Sequence, residues 1–287
     1  MGCCNYHIHL LFPSSTEKWL VRIPRLGLES LQTEIDVEYS YASEFATLKF
    51  PEGTKVPAPK AFAFDVASNK SNEIGVTYMI MEFLEGRPFN PYNASEEEKK
   101  RVYDGVADIL IELSKHPLLK ACSLMPSSMS QGKDTPVAGK IAGLRSKLSP
   151  PFGSFDATRD YYAAVIDVHQ KLVMERKLYA SLAVEARLTY SILNQTISKP
   201  SVQIPDSKES LKFEGREVRE EGGKTSGVEA FYLTHIDAKG DHLLLSSSAH
   251  VTGIIDWQGA RFVPTTKPLD LPYLHLTYML YTPEGLE

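Results

Sequence analysis

The strongest constraint in this sequence lies near its C-terminal end, where two acidic segments bracket a short apolar stretch. The segments are His235-Ile236-Asp237 and Gly253-Ile254-Ile255-Asp256-Trp257. Between them Leu243 to Leu245 and Val251 to Ile255 are β-prone and separated by a polar turn, Ser246 to His250, so they read as a β-hairpin. Antiparallel pairing returns the chain to where the hairpin began, and this brings Asp237 and Asp256 to one site despite their separation in sequence. Two carboxylates in that relation suit phosphoryl transfer. One orients the attacking hydroxyl and receives its proton, and the other holds a divalent cation against nucleotide phosphates.

Upstream, Tyr6 to Phe12 and Trp19 to Ile23 are short β-prone runs joined by a polar link of hairpin length. Leu31, Ile35, Ala42, Phe45 and Ala46 follow helical spacing among Glu34, Asp36, Glu38 and Glu44, which predicts an amphipathic helix over about residues 31–50. Val56-Pro57-Ala58-Pro59 is a stiff connector, and Lys60 to Val66 and Val76 to Phe83 are further β-like runs. The first 85 residues therefore read strand, strand, helix, strand, strand. Glu85-Gly86-Arg87-Pro88 breaks regular structure, and Ser95-Glu96-Glu97-Glu98 has the capping-box form of a helix start. Val102, Val106, Ile109, Leu110 and Leu113 supply that helix with an apolar face. Ser123 to Ser154 reads as a long irregular connection, followed by helices near Thr158 to Leu172 and Glu175 to Leu193, and a polar stretch from Ser198 to Gly227.

Composition narrows the function classes. With 36 acidic against 31 basic residues the net charge is −5, spread along the chain, which disfavours a nucleic-acid partner. No apolar run reaches the roughly 18 residues a membrane span needs, and the start lacks the pattern of a secretory signal, so a cytoplasmic protein is expected. Cys3, Cys4 and Cys122 are expected as thiols, since three cysteines cannot all pair within one chain. Met1-Gly2-Cys3-Cys4 fails the acylation motif because Tyr6 stands where Ser or Thr is required.

Phe231 to Asp237 followed by Gly253 to Trp257 resembles the catalytic and metal-binding segments of aminoglycoside-phosphotransferase family proteins, and looks most like their large fungal branch. Further matching blocks occur in the family's order: Trp19-Leu20-Val21-Arg22-Ile23-Pro24, Ser43-Glu44-Phe45-Ala46-Thr47-Leu48, Val56-Pro57-Ala58-Pro59, and Tyr78 to Gly86. The resemblance implies an α+β, bilobal, protein-kinase-like fold, with a small antiparallel-sheet N-lobe over residues 1–85 and a mainly helical C-lobe over 86–287. It further implies ATP and Mg2+ as cofactors and a hydroxyl-bearing acceptor, a small molecule before a protein side chain. Arg22, where such folds usually carry lysine, would contact the phosphates with Glu44 as its helix partner; Met81, Glu82, Phe83 and Leu84 would form the hinge that receives adenine. Asp237 would be the catalytic base, His235 would hold its loop, and Asp256 would bind magnesium.

The sequence departs from the family pattern at three places. His242, preceded by Asp241, stands where the family has an asparagine that contacts metal or phosphate, and imidazole is a poorer magnesium ligand than an oxygen donor. Gly2 to Asn5 falls where the turn over the phosphates is expected, which leaves out the first strand of the sheet; and relatives continue with more helices beyond Pro264 to Leu271. These departures keep open a non-catalytic binding or scaffold protein. A transition-metal hydrolase using His235, Asp237, His242 and Asp256 is a third reading, although it ignores the N-terminal blocks. His7 and His9 alternate on one strand face and are expected to point to solvent.

Overall fold

A four-stranded antiparallel sheet forms first. Strand β1 (Asn5–Leu11) pairs with β2 (Lys18–Pro24) in an unbroken register from Asn5↔Pro24 to Leu11↔Lys18. Helix α1 (Glu34–Lys49) crosses before β3 (Ala61–Asp65) and β4 (Tyr78–Glu82) complete the sheet in the order β1-β2-β4-β3, with β1 at an edge. The protein is represented by a computed structural model that describes residues 5–25, 34–127, 135–143, 149–199, 229–236 and 240–264. The lipidation motif, Cys3 and Cys4, the polar stretch 200–228, Asp237 and the segment from 265 onward lie outside the described residues.

After β4 the chain makes the two-residue strand β5 (Arg87–Pro88) and helix α2 (Glu96–Ser114). The expected capping box is present: Ser95 accepts a hydrogen bond from the Glu98 N–H, and Val102, Val106, Ile109 and Leu113 are buried. Strands β6 (Ser123–Met125) and β7 (Val137–Gly139) pair within the stretch expected to be irregular; they are too short for side-chain alternation to reveal them. Helices α3 (Thr158–Met174) and α4 (Ala183–Ser198) follow. The second helix starts later than its spacing suggested, because Arg176 and Tyr179 adopt left-handed backbone at φ 55° and 49°. Finally β8 (Phe231–Thr234), β9 (Leu243–Leu245) and β10 (Val251–Ile254) lead to β11 (Arg261–Pro264), which pairs antiparallel with β8 and was not anticipated.

Two features of this architecture position the site. Helix α1 is not amphipathic: from Ser40 to Leu48 every residue is buried, including Ser43, Glu44 and Thr47, because the helix lies between the N-terminal sheet and β6. The β9–β10 hairpin is also tied to both halves of the chain. The Ile254 N–H donates to the Pro57 carbonyl at 2.8 Å, the Phe89 N–H donates to Leu243 at 2.9 Å, and β5 pairs with β9. One continuous apolar core, holding Tyr41, Phe64, Met79, Val102, Phe231, Trp257 and Phe262, runs beneath these elements.

Candidate functional site

The polar centre begins with Arg22. Strand alternation and register put it between His7 of β1 and Met79 of β4, on the sheet face toward α1. Its Nη1 donates to Glu44 Oε1 at 2.5 Å, its Nη2 lies 3.6 Å from Asp256 Oδ1, and its guanidinium stands 6.0 Å from the Tyr41 ring centre. The Glu44 side chain is wholly buried, and its second oxygen, Oε2, has no hydrogen-bond partner among the described residues. Burial pushes the Glu44 carboxyl up from its ordinary range; Arg22 pulls it down and Asp256 adds to the upward push. For Arg22, burial opposes the charge, but Glu44, Tyr41 and Asp256 together hold it as a cation. A charged pair placed so deeply is costly to desolvate and is weak evidence for stability, which directs attention to what it holds in place.

Asp256 follows β10 and has left-handed backbone, φ 64°. Its neighbours hold it there. The Ile255 N–H donates to the His242 carbonyl at 3.0 Å, and Trp257, almost fully buried, donates from Nε1 to the Ile254 carbonyl at 2.9 Å. Asp tolerates this region better than most residues, yet such conformations cost on the order of 1–3 kcal/mol and concentrate at functional positions. The Asp256 side chain is partly exposed, whereas its Oδ1 is buried and without a hydrogen-bond partner among the described residues.

His235 stands behind this turn. Its Nε2 donates to the Ile255 carbonyl at 3.0 Å, and its ring packs edge-on against Trp257. His242 lies across from it, ring centres 5.7 Å apart, with Nε2 3.6 Å from Asp256 Oδ2. Of the two neighbours that the sequence left ambiguous, the His242 side chain is 12% exposed with Nε2 3.6 Å from Asp256, while that of Asp241 is 66% exposed with Oδ1 4.0 Å from the same Nε2. Among the described residues no group of three or more His, Cys, Asp or Glu is gathered as a metal cage.

The segment from Met81 to Leu84 runs beside the same hairpin, following Met79, which pairs with Arg22. Met81 is buried in β4, Glu82 is engaged with Lys60 through both its N–H and its carboxylate, and the Phe83 N–H donates to the Lys18 carbonyl at 3.0 Å. Leu84 sits against the hairpin so closely that a Cβ on Gly253 would meet Leu84 Cδ1 at 2.7 Å and Leu244 Cδ1 at 3.5 Å. Arg22, Glu44, Asp256, His242 and His235 thus converge, with Met81 to Leu84 along one border. Sequence reasoning missed Tyr41, Leu244 and the two β1 histidines. His7 and His9 are exposed, as expected, while His9 also packs edge-on against Phe83, ring centres 4.8 Å apart, and His7 pairs in register with Arg22. The available signal was the register itself, since a residue opposite Arg22 shares its face.

An antiparallel sheet followed by helices and a carboxylate-bearing hairpin fits the protein-kinase-like class of fold, as its similarity to solved phosphotransferase structures shows. Residues 10–167 match the phosphotransferase enzyme family, more than half of the chain, and the protein belongs to that family. The match ends before the two acidic segments. No curated protein matches the sequence. Among solved structures, a protein of Ralstonia eutropha JMP134 assigned as an aminoglycoside phosphotransferase is similar at 15% identity and TM-score 0.50, covering 92% of this chain and 58% of its own. Aminoglycoside phosphotransferase APH(4)-Ia (16% identity, TM-score 0.46, 91% and 65% covered) and a macrolide 2'-phosphotransferase type I (11%, 0.45, 92% and 65%) are more distant. The chain therefore spans less than two thirds of each of these proteins.

Proposed function

We propose that the protein is an ATP- and magnesium-dependent phosphotransferase that transfers a phosphoryl group to a hydroxyl of a small molecule. The observation that carries this reading is the buried Arg22–Glu44 pair with Arg22 Nη2 3.6 Å from the partly exposed Asp256 carboxylate. In this reading residues 1–85 form the nucleotide-side lobe and 86–287 the acceptor-side lobe. Arg22 draws the phosphates, Glu44 holds Arg22 in position, and Met81 to Leu84 with Leu244 receive adenine. Asp237 accepts the proton of the attacking hydroxyl, while His235 fixes the backbone before Asp256 through its bond to Ile255.

The residues fit a magnesium ion in one respect and strain the fit in another. Asp256 offers hard oxygen donors, one of them buried and unengaged by any hydrogen bond among the described residues. His242 offers an imidazole where an oxygen would serve better, and Asp241 stands exposed beside it. Asp256 would therefore be the principal ligand, and the ion would neutralise charge on the nucleotide phosphates.

Thermal unfolding with and without millimolar ATP and magnesium tests the nucleotide site, because a ligand bound by the folded state alone stabilises by about 2.7 kcal/mol at a hundredfold excess over Kd. Asp237→Asn is expected to lower turnover by about 10²–10⁴-fold with the thermal shift retained; wild-type turnover would remove Asp237 from the mechanism. His242 favours a second reading, a kinase-like binding protein without turnover, which any stoichiometric phosphorylated product would overturn.

A further inference from the structure

We propose that Arg261 recognises an anionic oxygen group on the acceptor, so that the molecule phosphorylated is a hydroxyl compound that also bears a carboxylate or a phosphate. The inference rests on the phosphotransferase reading and names the class of acceptor.

The Arg261 guanidinium is a buried cation that no acidic side chain among the described residues neutralises. The residue is 9% exposed, and among the described residues its hydrogen bond runs from Nη1 to the Gly143 carbonyl at 3.2 Å. Nε is enclosed and has no hydrogen-bond partner there. The ionisable group that acts on its charge is Tyr161 of α3, a phenol that burial keeps protonated. Burial therefore pushes the Arg261 pKa below its ordinary value, the opposite of Arg22, which Glu44 and Asp256 hold as a cation. Arginine nonetheless keeps its proton, and a buried charge compensated only by a neutral carbonyl is strongly unfavourable. Such a residue points to recognition rather than to stability.

The donors left over have a definite shape. With Nη1 committed to Gly143, the remaining edge consists of the Nε–H and the Nη2–H beside it, which point the same way and meet the two oxygens of a carboxylate or phosphate together. The place of Arg261 in the fold ties this edge to the site. Arg261 opens β11 opposite Thr234, the last residue of β8, and Thr234 leads directly into His235. From the other direction, β11 follows Asp256 through a turn closed by the Ala260 N–H on the Trp257 carbonyl at 3.0 Å. The two segments that carry the acidic motifs therefore both adjoin Arg261, within the half of the chain assigned to the acceptor.

Thermal unfolding of the full chain at matched ionic strength, with gluconate, glucose 6-phosphate, glucose or glucosamine added, tests the assignment, because these polyols differ chiefly in charge. One of the two anions is expected to raise the melting temperature by roughly 5–11 °C at a hundredfold excess over Kd, and glucose and glucosamine to leave it unchanged. Which anion acts distinguishes carboxylate from phosphate. Arg261→Lys keeps the charge but not the two-pronged edge and is expected to weaken the anion by roughly 10- to 100-fold, while Arg261→Met abolishes its effect. Acceptor-dependent release of ADP from ATP should follow the same order. Anion shifts as large in both variants as in wild type would overturn the site, as would no anion shift in wild type, and a preference for glucosamine over both anions would overturn the acceptor class. A shift with magnesium ATP but none with either anion would leave the phosphotransferase reading standing without this site; no shift with magnesium ATP would overturn that reading itself.

Discussion

Replacing Arg22 by methionine isolates what the buried ion pair does. The Glu44 side chain is 0% exposed and that of Arg22 is 6% exposed, so removing the cation strands a carboxylate in the core rather than on the surface. Breaking a buried pair in this way costs about 3–5 kcal/mol, which at about 2–4 °C per kcal/mol lowers the melting temperature by roughly 6–20 °C. The double variant Arg22→Met with Glu44→Leu removes both charges and should melt within a few degrees of wild type, because apolar replacement of a buried pair is often neutral or stabilising. Both variants should lose nucleotide binding. The pH dependence gives a second check. Glu44 is already raised in the folded protein by burial, so the stability tied to it is complete below the unfolded value of 4.5 and declines as pH rises through the folded one. Without the downward pull of Arg22 that decline is larger, so Arg22→Met should lie closer to wild type at pH 5 than at pH 8. Thermal unfolding followed by circular dichroism measures all of this. An Arg22→Met protein as stable as wild type at both pH values would refute the reasoning.

Three further substitutions at two positions probe the hairpin. Asp256→Ala and Asp256→Gly should both abolish the magnesium dependence of nucleotide binding, but alanine in left-handed backbone costs about 1–2 kcal/mol that glycine avoids, so the glycine variant should melt higher; the reverse order would show that the φ of 64° carries no strain. Gly253→Val must displace the Leu84 side chain, and is expected to weaken adenosine binding about tenfold through overpacking of about 1–3 kcal/mol, with equilibrium titration as the check. Unchanged affinity would mean that this side of the hairpin does not face the base.

Much of the site was legible because its parts are local. The β9–β10 hairpin, the capped start of α2 and the Arg22 and Glu44 blocks each depend on a few neighbouring residues, and β1 through β4 follow ordinary strand and turn chemistry. Elements whose stability comes from distant partners were not legible. Strand β11 exists through pairing with β8 and a bridge from Phe262 to Cys122, and β6 and β7 are three residues each. Helix α1 was misjudged as amphipathic for a related reason: its polar residues are buried by the sheet on one side and β6 on the other, a setting that helical periodicity does not encode.

The chemistry of the site differs in the same way. Spacing predicted the hairpin that carries Asp256, and the family resemblance implied that Arg22 and Glu44 form a pair; the structure brings Arg22, Glu44 and Asp256 together. Tertiary structure alone decided that His242 Nε2 lies 3.6 Å from Asp256 while the Asp241 side chain is exposed, that Asp256 is held in left-handed backbone by Trp257 and Ile255, and that the β1 histidines share a face with Arg22. The physical reason is that a sequence specifies which groups a segment carries, whereas the direction of a side chain depends on register, burial and the hydrogen bonds of elements far away in the chain.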